Sequence, residues 1–409
     1  MKPHGPVPPG FVADDSRMLL VGDMRADALV EAAGDTPLFV YDSAMLTARV
    51  AEWRAAMPPE VQLHYAMKAN PYAPLLAHMA GQVDGLDVAS GGELKAALAS
   101  GMAAEHISFA GPGKRDRELE AAIRAGATLN LESAGEATRA LAIAARTGIT
   151  PRLAVRVNPD FDLKGSGMKM GGGAKPFGVD ASEVPELVRR LLAMGADWQG
   201  FHIFAGSQAL DAAAITETQA QTVALAARLA NEIGSAPPLV NLGGGMGVPY
   251  FPGDTAVDAK AVGAALGETL AARDPILAES RFAMELGRWL VAEAGVYLSR
   301  VVDRKTSHGE TFLVTDGGLH HQLAASGNFG TVIRRNYPIA IAGRFGAEPA
   351  ETVTVVGCLC TPLDRLGDQV ALPRADVGDL VAIFQAGAYG ATASPSAFLG
   401  QGPAREMLV

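Results

Sequence analysis

The sequence predicts an α/β protein in which a closed (β/α)₈ barrel is followed by a mostly antiparallel β domain. Over roughly 220 residues, short apolar segments alternate with alanine-rich segments of helical length, the pattern of a parallel sheet built from β-α units. Beyond about residue 290 the helical periodicity fades and strand-like segments follow one another. Eight apolar segments fit a closed barrel better than an open, doubly wound sheet, which is the alternative.

Each predicted element rests on such a segment. The barrel strands are placed at 63–68, 85–89, 107–110, 128–131, 152–157, 200–204, 239–242 and 282–285. Helices between them include 92–100, 115–125, 134–147, 181–194, 212–234 and 257–273. Before the first barrel strand, 38–41 is predicted as a strand, and Asp42 or Ser43 as the cap of a helix that ends near residue 57. Later strands are placed at 311–315, 351–356, 368–372 and 379–384.

A chain of 409 residues is too long for one ordinary domain. We divide it into a leader strand (1–35) that joins the C-terminal β domain, a barrel (36–288) and the β domain itself (289–409). The glycine-rich segment 164–177, which contains three lysines, is predicted to be a mobile loop over the barrel mouth.

The charge balance narrows the choice of partners and location. A formal net charge of -10 argues against a nucleic acid or an anionic membrane as partner. No apolar run resembles a signal peptide or a bilayer-spanning segment, so we expect a soluble, cytoplasmic protein. Cys358 and Cys360, two residues apart on a strand, point to opposite faces, and further ligands are lacking nearby. Neither an internal disulfide nor a metal site is therefore expected.

Polar and glycine residues gather where the predicted barrel strands end, which is where barrel enzymes carry their reactive groups. They include Lys68, Asp87, Glu132, Arg156, His202, Gly243 to Gly245, Glu285 and Arg288. A desolvated lysine loses its proton more easily and can form a Schiff base. A solvated surface lysine is the alternative for Lys68 when that residue is considered alone.

Two further motifs, together with Lys68, indicate a cofactor site. Consecutive glycines at 243–245 let backbone N–H groups approach a phosphate, although they lack the spacing of a dinucleotide loop or a P-loop. Glu285 would keep a pyridine nitrogen protonated, and Arg288 could hold a phosphate or a carboxylate. A tight turn and a surface ion pair are the alternatives for each motif alone. Together with Lys68, the motifs predict a site for pyridoxal 5'-phosphate.

The order of the motifs resembles that of the fold-type III pyridoxal phosphate-dependent decarboxylases, the family of diaminopimelate, ornithine and arginine decarboxylases. The resemblance runs from about residue 36 to the C-terminus and implies an alanine racemase-like barrel. It is carried by Tyr65–Asn70 (YAMKAN), Asp87–Leu94 (DVASGGEL), Gly111–Lys114 (GPGK), the triple glycine, Glu285–Arg288 (ELGR), Cys360 with Asp364, and Gly387–Gly390 (GAYG).

The resemblance implies a role for each matching position. Lys68 would carry the cofactor as a Schiff base, and Glu285 would pair with the ring nitrogen. The phosphate would be bound by Ser207, Gly243, Gly244 and Gly245, with Arg288 and Tyr389 close by. Asp87, Arg156 and His202 would surround the ring and the lysine. Cys360 would donate a proton and, with Tyr389, enter the site of a partner subunit, which implies a homodimer with shared active sites. We interpret Cys358 as a packing residue.

Two positions depart from the family pattern. Phe204 stands where the family has its ring-stacking histidine, and His202 lies two residues earlier. Thr361 follows Cys360 where the family usually has the acid that holds the distal amine of the substrate, and a site without that counter-charge rejects the usual substrate. Arg334 and Tyr337, with Arg288 and Thr361, are predicted to bind substrate.

These departures resemble a divergent branch of decarboxylases, linked to exosortase gene clusters or acting on a glutamyl group of an acyl carrier protein. We predict an amino-acid decarboxylase that removes the α-carboxylate through Lys68 from a non-standard substrate, for which a carrier protein is a candidate partner. An authentic meso-diaminopimelate decarboxylase making L-lysine is the alternative. The β domain and Cys360 disfavour a small pyridoxal phosphate-binding regulatory protein, and the cysteine motif disfavours a racemase.

Overall fold

The computed structural model describes residues 1–165, 167–169, 171–328 and 334–409. The chain forms two compact units. The first, called the barrel unit, consists of residues 50–247 and 256–287. The second, called the β unit, consists of residues 1–49, 248–255 and 288–409.

The barrel unit is built on eight parallel strands that pair in chain order. They are Val61–Ala66, Gly85–Val88, Ile107–Phe109, Thr128–Leu131, Arg152–Asn158, Asp197–Ile203, Leu239–Asn241 and Arg281–Leu286. The barrel closes because the eighth strand pairs with the first. A short strand, Val179–Asp180, pairs with the fifth. The (β/α)₈ prediction is thus confirmed, and the open sheet is excluded.

The helices of the barrel unit follow the predicted pattern. They are Ala73–Ala80, Gly91–Ala99, Asp116–Ala125, Ala134–Thr147, Val184–Ala193, Ala212–Ile233 and Ala259–Ala271. The hydroxyls of Ser90 and Ser133 accept hydrogen bonds from backbone N–H groups three residues later and so cap two of these helices. The first helix was absent from the predicted set because it has only eight residues and starts beside Pro74.

The first barrel strand ends two residues earlier than predicted. It stops at Ala66, and Lys68 lies on the single 3₁₀ turn Met67–Ala69 that follows. The turn is possible here because the backbone N–H of Asn70 bonds to the carbonyl of Met67 at 3.0 Å. Lys68 therefore stands just beyond the strand, at the mouth of the barrel.

The β unit contains a mixed, mostly antiparallel sheet. Its strands are Leu38–Tyr41, Gly295–Ser307, Glu310–Thr315, Ile339–Ile341, Glu351–Val356, Arg365–Leu372, Leu380–Phe384 and Arg405–Leu408. The long strand Gly295–Ser307 pairs antiparallel with three neighbours. Two pairings, one of them between Leu38–Tyr41 and Arg405–Leu408, are parallel. The expected antiparallel character is confirmed.

The leader joins the β unit mainly by packing, with one isolated parallel bridge between His4 and Asn336. Val12–Ala13, Leu19–Val21 and Met24–Arg25 form a separate three-stranded sheet. Leu19 is buried in one apolar cluster with Val296 and Phe384 of the large sheet. The sequence placed residue 36 onward in the barrel. In the structure, Leu38–Tyr41 is hydrogen-bonded to Gly295–Ser307, so the two units divide after Arg49, inside the helix Ser43–Ala56. In the described parts of the chain, no helix has the length and apolarity to cross a membrane.

Candidate active site

Four predicted charged residues meet at the mouth of the barrel. One cavity of about 240 Å³ is bordered by Lys68, Asp87, Arg156 and Glu285, together with residues 110–112 and Phe177. Asp87 comes from the second strand, Arg156 from the fifth and Glu285 from the eighth. The ends of these strands thus meet at one cavity, as the barrel rule expects, and the reactive roles of the residues stay a prediction.

Glu285 is the anionic centre of the cluster. Its Oε2 atom lies 2.8 Å from Nε2 of His202, and its Oε1 atom lies 3.9 Å from Nζ of Lys68. Burial alone would raise the pKa of this carboxyl group. The hydrogen bond from His202 and the charges of Lys68 and Arg156 outweigh burial and lower the pKa of Glu285 to about 2. An ionised carboxylate of this kind suits a protonated pyridine nitrogen.

Phe204 and His202 lie side by side near Lys68 and Glu285. The Phe204 ring centroid lies 5.7 Å from Nζ of Lys68, so Phe204 offers an aromatic face next to the lysine. His202 donates Nε2–H to Glu285, because an ionised carboxylate can only accept. The two rings are nearly parallel, with centroids 6.5 Å apart. Phe204 thus supplies an aromatic face and His202 a polar contact to Glu285, and their roles toward a cofactor stay a prediction.

Glu132 supports Arg156 on the wall of the cavity. Its Oε1 atom lies 2.8 Å from Nη1 of Arg156 and 2.6 Å from the N–H of Gly111, and its Oε2 atom accepts the N–H of Gly178 at 2.8 Å. The sequence placed Glu132 at a strand end but gave it no role. Its position directly after the fourth strand was the available signal.

The glycine loop after the seventh strand has a shape that only glycine can adopt. Gly243 and Gly245 have φ angles of 69° and 108°. A Cβ atom on Gly244 would lie 2.0 Å from the carbonyl oxygen of Glu285. Within the described residues, the N–H groups of Gly244 and Gly245 donate to no acceptor. Bare backbone donors of this kind fit a phosphate group. Ser207 ends the short strand Gly206–Ser207, whose Gly206 carbonyl adjoins Gly245.

The other six predicted site residues belong to the β unit. Among them, Arg288 lies against two tyrosine rings, with its guanidinium carbon 6.0 Å from the centroid of Tyr250 and 4.9 Å from that of Tyr389. Tyr337 stacks on Tyr250 at 4.9 Å. Burial would lower the pKa of Arg288, but the neighbouring tyrosines raise it. Tyr250 was missed, because nothing in the loop after the triple glycine distinguishes it from a packing residue.

Cys360 and Thr361 lie on the loop that joins Glu351–Val356 to Arg365–Leu372. Cys360 is exposed and Thr361 is half-buried. Asp364 anchors the loop, since its buried carboxylate accepts the N–H groups of Leu319 at 2.7 Å and Leu359 at 2.8 Å. Burial and the charge of Asp364 raise the pKa of the Cys358 thiol.

Arg334 braces the same loop from the side. Its guanidinium donates to the carbonyl of Arg365 at 2.9 Å and to the carbonyls of Ser326 and Leu363. These contacts assign Arg334 a structural function, and its substrate role stays a prediction. Residues 329–333, just before Arg334, lie outside the described residues.

Comparison with known proteins agrees with this geometry. Residues 43–292 match the family described as pyridoxal-dependent decarboxylase, pyridoxal binding domain. The chain is 36% identical over 380 residues to the L-glutamyl-[BtrI acyl-carrier protein] decarboxylase of Niallia circulans, covering 91% of this chain and 89% of that protein. It is 30% identical over 383 residues to the 2-[(L-alanin-3-ylcarbamoyl)methyl]-2-hydroxybutanedioate decarboxylase of Staphylococcus aureus, covering 88% and 91%.

The fold has a solved counterpart of nearly full length. Diaminopimelate decarboxylase from M. jannaschii, in complex with L-lysine, superposes with a TM-score of 0.89 at 26% sequence identity, covering 98% of this chain and 93% of that one. The mouth of the barrel supplies a lysine, an ionised acid and a bare glycine loop, and these fit pyridoxal phosphate, the family's cofactor. The predicted cofactor and enzyme class are confirmed. The chain belongs to the pyridoxal-dependent decarboxylases.

Proposed function

We propose that this enzyme decarboxylates an α-amino acid whose distal end is an acyl or amide group, presented on an acyl carrier protein. The observation that carries the proposal is the loop 357–364, which offers no available carboxylate. Residues 357–363 read Gly-Cys-Leu-Cys-Thr-Pro-Leu. Asp364, the first acid after them, is 2% exposed and already accepts two backbone N–H groups.

The chemistry of this loop argues against a free diamino acid. A distal ammonium group leaves water at a high cost unless an anion pairs with it. The Thr361 hydroxyl can instead donate a hydrogen bond to a neutral acyl or amide carbonyl. A diaminopimelate decarboxylase, the second candidate, would need its counter-charge from another part of the molecule. The resemblance to the M. jannaschii enzyme is what favours that candidate.

The names of two relatives support an acylated substrate. The Niallia circulans protein is named for a glutamyl group on an acyl carrier protein. The Staphylococcus aureus protein is named for an alanin-3-yl group joined through a carbamoyl. In both names the amino acid continues into an acyl linkage rather than ending in a free amine.

Each site residue receives a task under this proposal. When bound, pyridoxal phosphate accepts the electron pair that remains when the α-carboxylate leaves. Lys68 binds the cofactor aldehyde, and Glu285, held by His202, favours protonation of the ring nitrogen. The glycine loop and Ser207 bind the phosphate, and Phe204 covers one ring face. Asp87 and Arg156 set the charge around Lys68.

Cys360 is the proposed proton donor, and a homodimer is the proposed assembly. Decarboxylation replaces a carboxylate by a proton, so a donor is required at Cα. The Cys360 thiol is exposed on its loop, which supports delivery into the site of a partner subunit. Tyr389, whose ring lies 4.9 Å from the guanidinium of Arg288 in its own chain, would stay beside Arg288. Arg288, Arg334 and Tyr337 would contact the substrate. The cytoplasmic location stays a prediction.

A subunit-mixing experiment tests the shared site. Lys68→Ala and Cys360→Ala should each abolish most activity. A mixture of both variants, dissociated and reassociated, should regain about a quarter of wild-type activity, because half the dimers are mixed and each has one intact site. No recovery in a mixture that size-exclusion chromatography shows to be dimeric would refute sharing.

A substrate panel tests the proposed substrate class. Carbon dioxide release should be greatest with glutamyl-acyl carrier protein or an amide-linked amino acid, and low with meso-diaminopimelate, lysine or ornithine. Thr361→Glu should raise kcat/KM for a free diamino acid relative to the acylated substrate, and Thr361→Gln is the matched uncharged control. High wild-type activity with meso-diaminopimelate would instead favour the second candidate.

A further inference from the structure

Besides the cavity at the barrel mouth, called the mouth cavity, a second one lies inside the opposite, N-terminal end of the barrel and is called the lower cavity. It is bordered by residues at the starts of strands, among them Gln62, Ser108, Arg152 and Arg281, and by the inward side chain of His64. Its volume is about 50 Å³, against the roughly 10–15 Å³ that one water molecule needs. Its lining combines polar and charged side chains with apolar ones, although the proposed chemistry is at the other end of the barrel.

His64 and Asp87 connect this cavity with the mouth. His64 borders the lower cavity and Asp87 borders the mouth cavity. Nδ1 of His64 and Oδ2 of Asp87 face each other at 3.7 Å. Both atoms are buried, and neither has a hydrogen-bond partner among the described residues. The adjacent Gly85 leaves room for the ring, since a Cβ atom there would lie 2.9 Å from Nε2 of His64.

The charges of His64 and Asp87 stabilise each other. Burial opposes a charge on His64, but the Asp87 carboxylate outweighs it and raises the pKa of the imidazole. Burial and the negative charge of Glu285 raise the pKa of Asp87, and His64 opposes that rise. The other titratable or charged groups around His64 are Asp84, Glu105, His106, Arg152, Arg281 and Glu285.

We propose that His64 is a positioning residue. Its ring takes up a proton from water in the lower cavity, and the protonated ring keeps Asp87 ionised at the mouth cavity, which Lys68 also borders. The proposal rests on the cofactor-binding role proposed for Lys68. Without the ring's charge, Asp87 takes up one proton from water, and the mouth loses one negative charge. A protonated nitrogen at Lys68 then loses an anionic neighbour and gives up its proton at lower pH.

The first test follows the visible absorbance of the cofactor-loaded enzyme as a function of pH. In His64→Asn, the midpoint of the absorbance change should fall by about 1–3 pH units, the usual effect of losing a nearby opposite charge. His106→Asn is the matched control, because His106 borders the same cavity without forming an ion pair to Asp87, and its midpoint should not move. An unchanged midpoint in folded His64→Asn would overturn the proposal.

The second test needs no variant of His64 to fold. Ring ¹³C and ¹⁵N NMR of histidine-labelled holoenzyme should show the His64 ring protonated at pH 7.5 in the wild type, and neutral in Asp87→Asn. A neutral His64 ring in the wild type would overturn the proposal. If Lys68→Ala kept the covalent absorbance band, the role of Lys68 would fail instead, and the NMR result would still report on the pair.

Discussion

Glu132→Gln removes a single charge from the support of the barrel mouth without changing the size of the side chain. Both oxygens of Glu132 accept hydrogen bonds, from Arg156 and the N–H of Gly111 on one side and from the N–H of Gly178 on the other. An amide keeps one acceptor oxygen and turns the other into a donor. The N–H of Gly178 would then face an N–H group, and the buried Arg156 would lose its counter-charge.

The size of the effect follows from these contacts. One hydrogen bond to a charged group is lost, which costs about 1.5–3 kcal/mol, and two others lose their charge assistance, which costs about 1 kcal/mol each. The sum, roughly 3–5 kcal/mol, equals the usual cost of leaving one partner of a buried ion pair uncompensated. For a unit of this size it corresponds to a fall in melting temperature of roughly 6–20 °C.

The melting temperature of the loaded enzyme, followed by circular dichroism, checks this value. Glu120→Gln is the matched control, because Glu120 pairs with Arg124 and Arg146 at 2.7 Å on the exposed surface. Its melting temperature should stay at the wild-type value, since exposed pairs contribute little. A Glu132→Gln protein that melts within about 2 °C of wild type, on the same scale, would refute the reasoning.

The stability difference between wild type and Glu132→Gln should decrease as the pH falls. Burial would raise the pKa of Glu132, but Arg156 and the two backbone donors outweigh it and lower the pKa below the ordinary 4.5. The carboxylate therefore stabilises the fold above the unfolded pKa, and this contribution is lost as pH falls through the folded value. The difference in melting temperature between wild type and Glu132→Gln should be largest at pH 7 and should shrink below pH 4.5.

Two further substitutions examine the loop chemistry and the barrel interior. Cys360→Ala should lower kcat about 10²–10⁴-fold, the usual contribution of a positioned acid. The kcat of Cys358→Ala should stay near the wild-type value. If carbon dioxide release fell equally in both variants, Cys360 would have no special role. Lys114→Met should cost about 3–5 kcal/mol, because it leaves Glu136 buried without the cation 2.8 Å away. Adding Glu136→Leu should recover most of this stability in urea denaturation, and no recovery would contradict the account.

The barrel rule explains why the charged cluster could be predicted from sequence. In a closed parallel barrel, every strand ends at the same face, so residue order alone places Lys68, Asp87, Arg156 and Glu285 together. Side-chain pairing could not be predicted in this way. Whether His202 on the sixth strand bonds to Glu285 on the eighth depends on inward orientation and on register across the seventh strand between them.

The same limit applied to non-local backbone contacts. Glu132 gains its function only because the N–H groups of Gly111 and Gly178 approach it from two distant loops. The strand Leu38–Tyr41 fell within the predicted barrel bounds of 36–288. Its partners, Gly295–Ser307 and Arg405–Leu408, lie more than 250 residues away along the chain, so local periodicity holds no signal for the pairing.

The division into units has a consequence for specificity. The residues proposed to hold the cofactor ring, such as Lys68 and Glu285, belong to the barrel unit, whereas Thr361 belongs to the β unit. Asp364 fixes the Thr361 loop through bonds to its own unit, so a substitution at Thr361 leaves the contacts of Glu285 unchanged. Under the proposed function, Thr361→Glu should therefore alter substrate preference while the absorbance and pH response of the bound cofactor stay as in wild type. A change in both would place Thr361 in the cofactor site rather than at the distal end of the substrate.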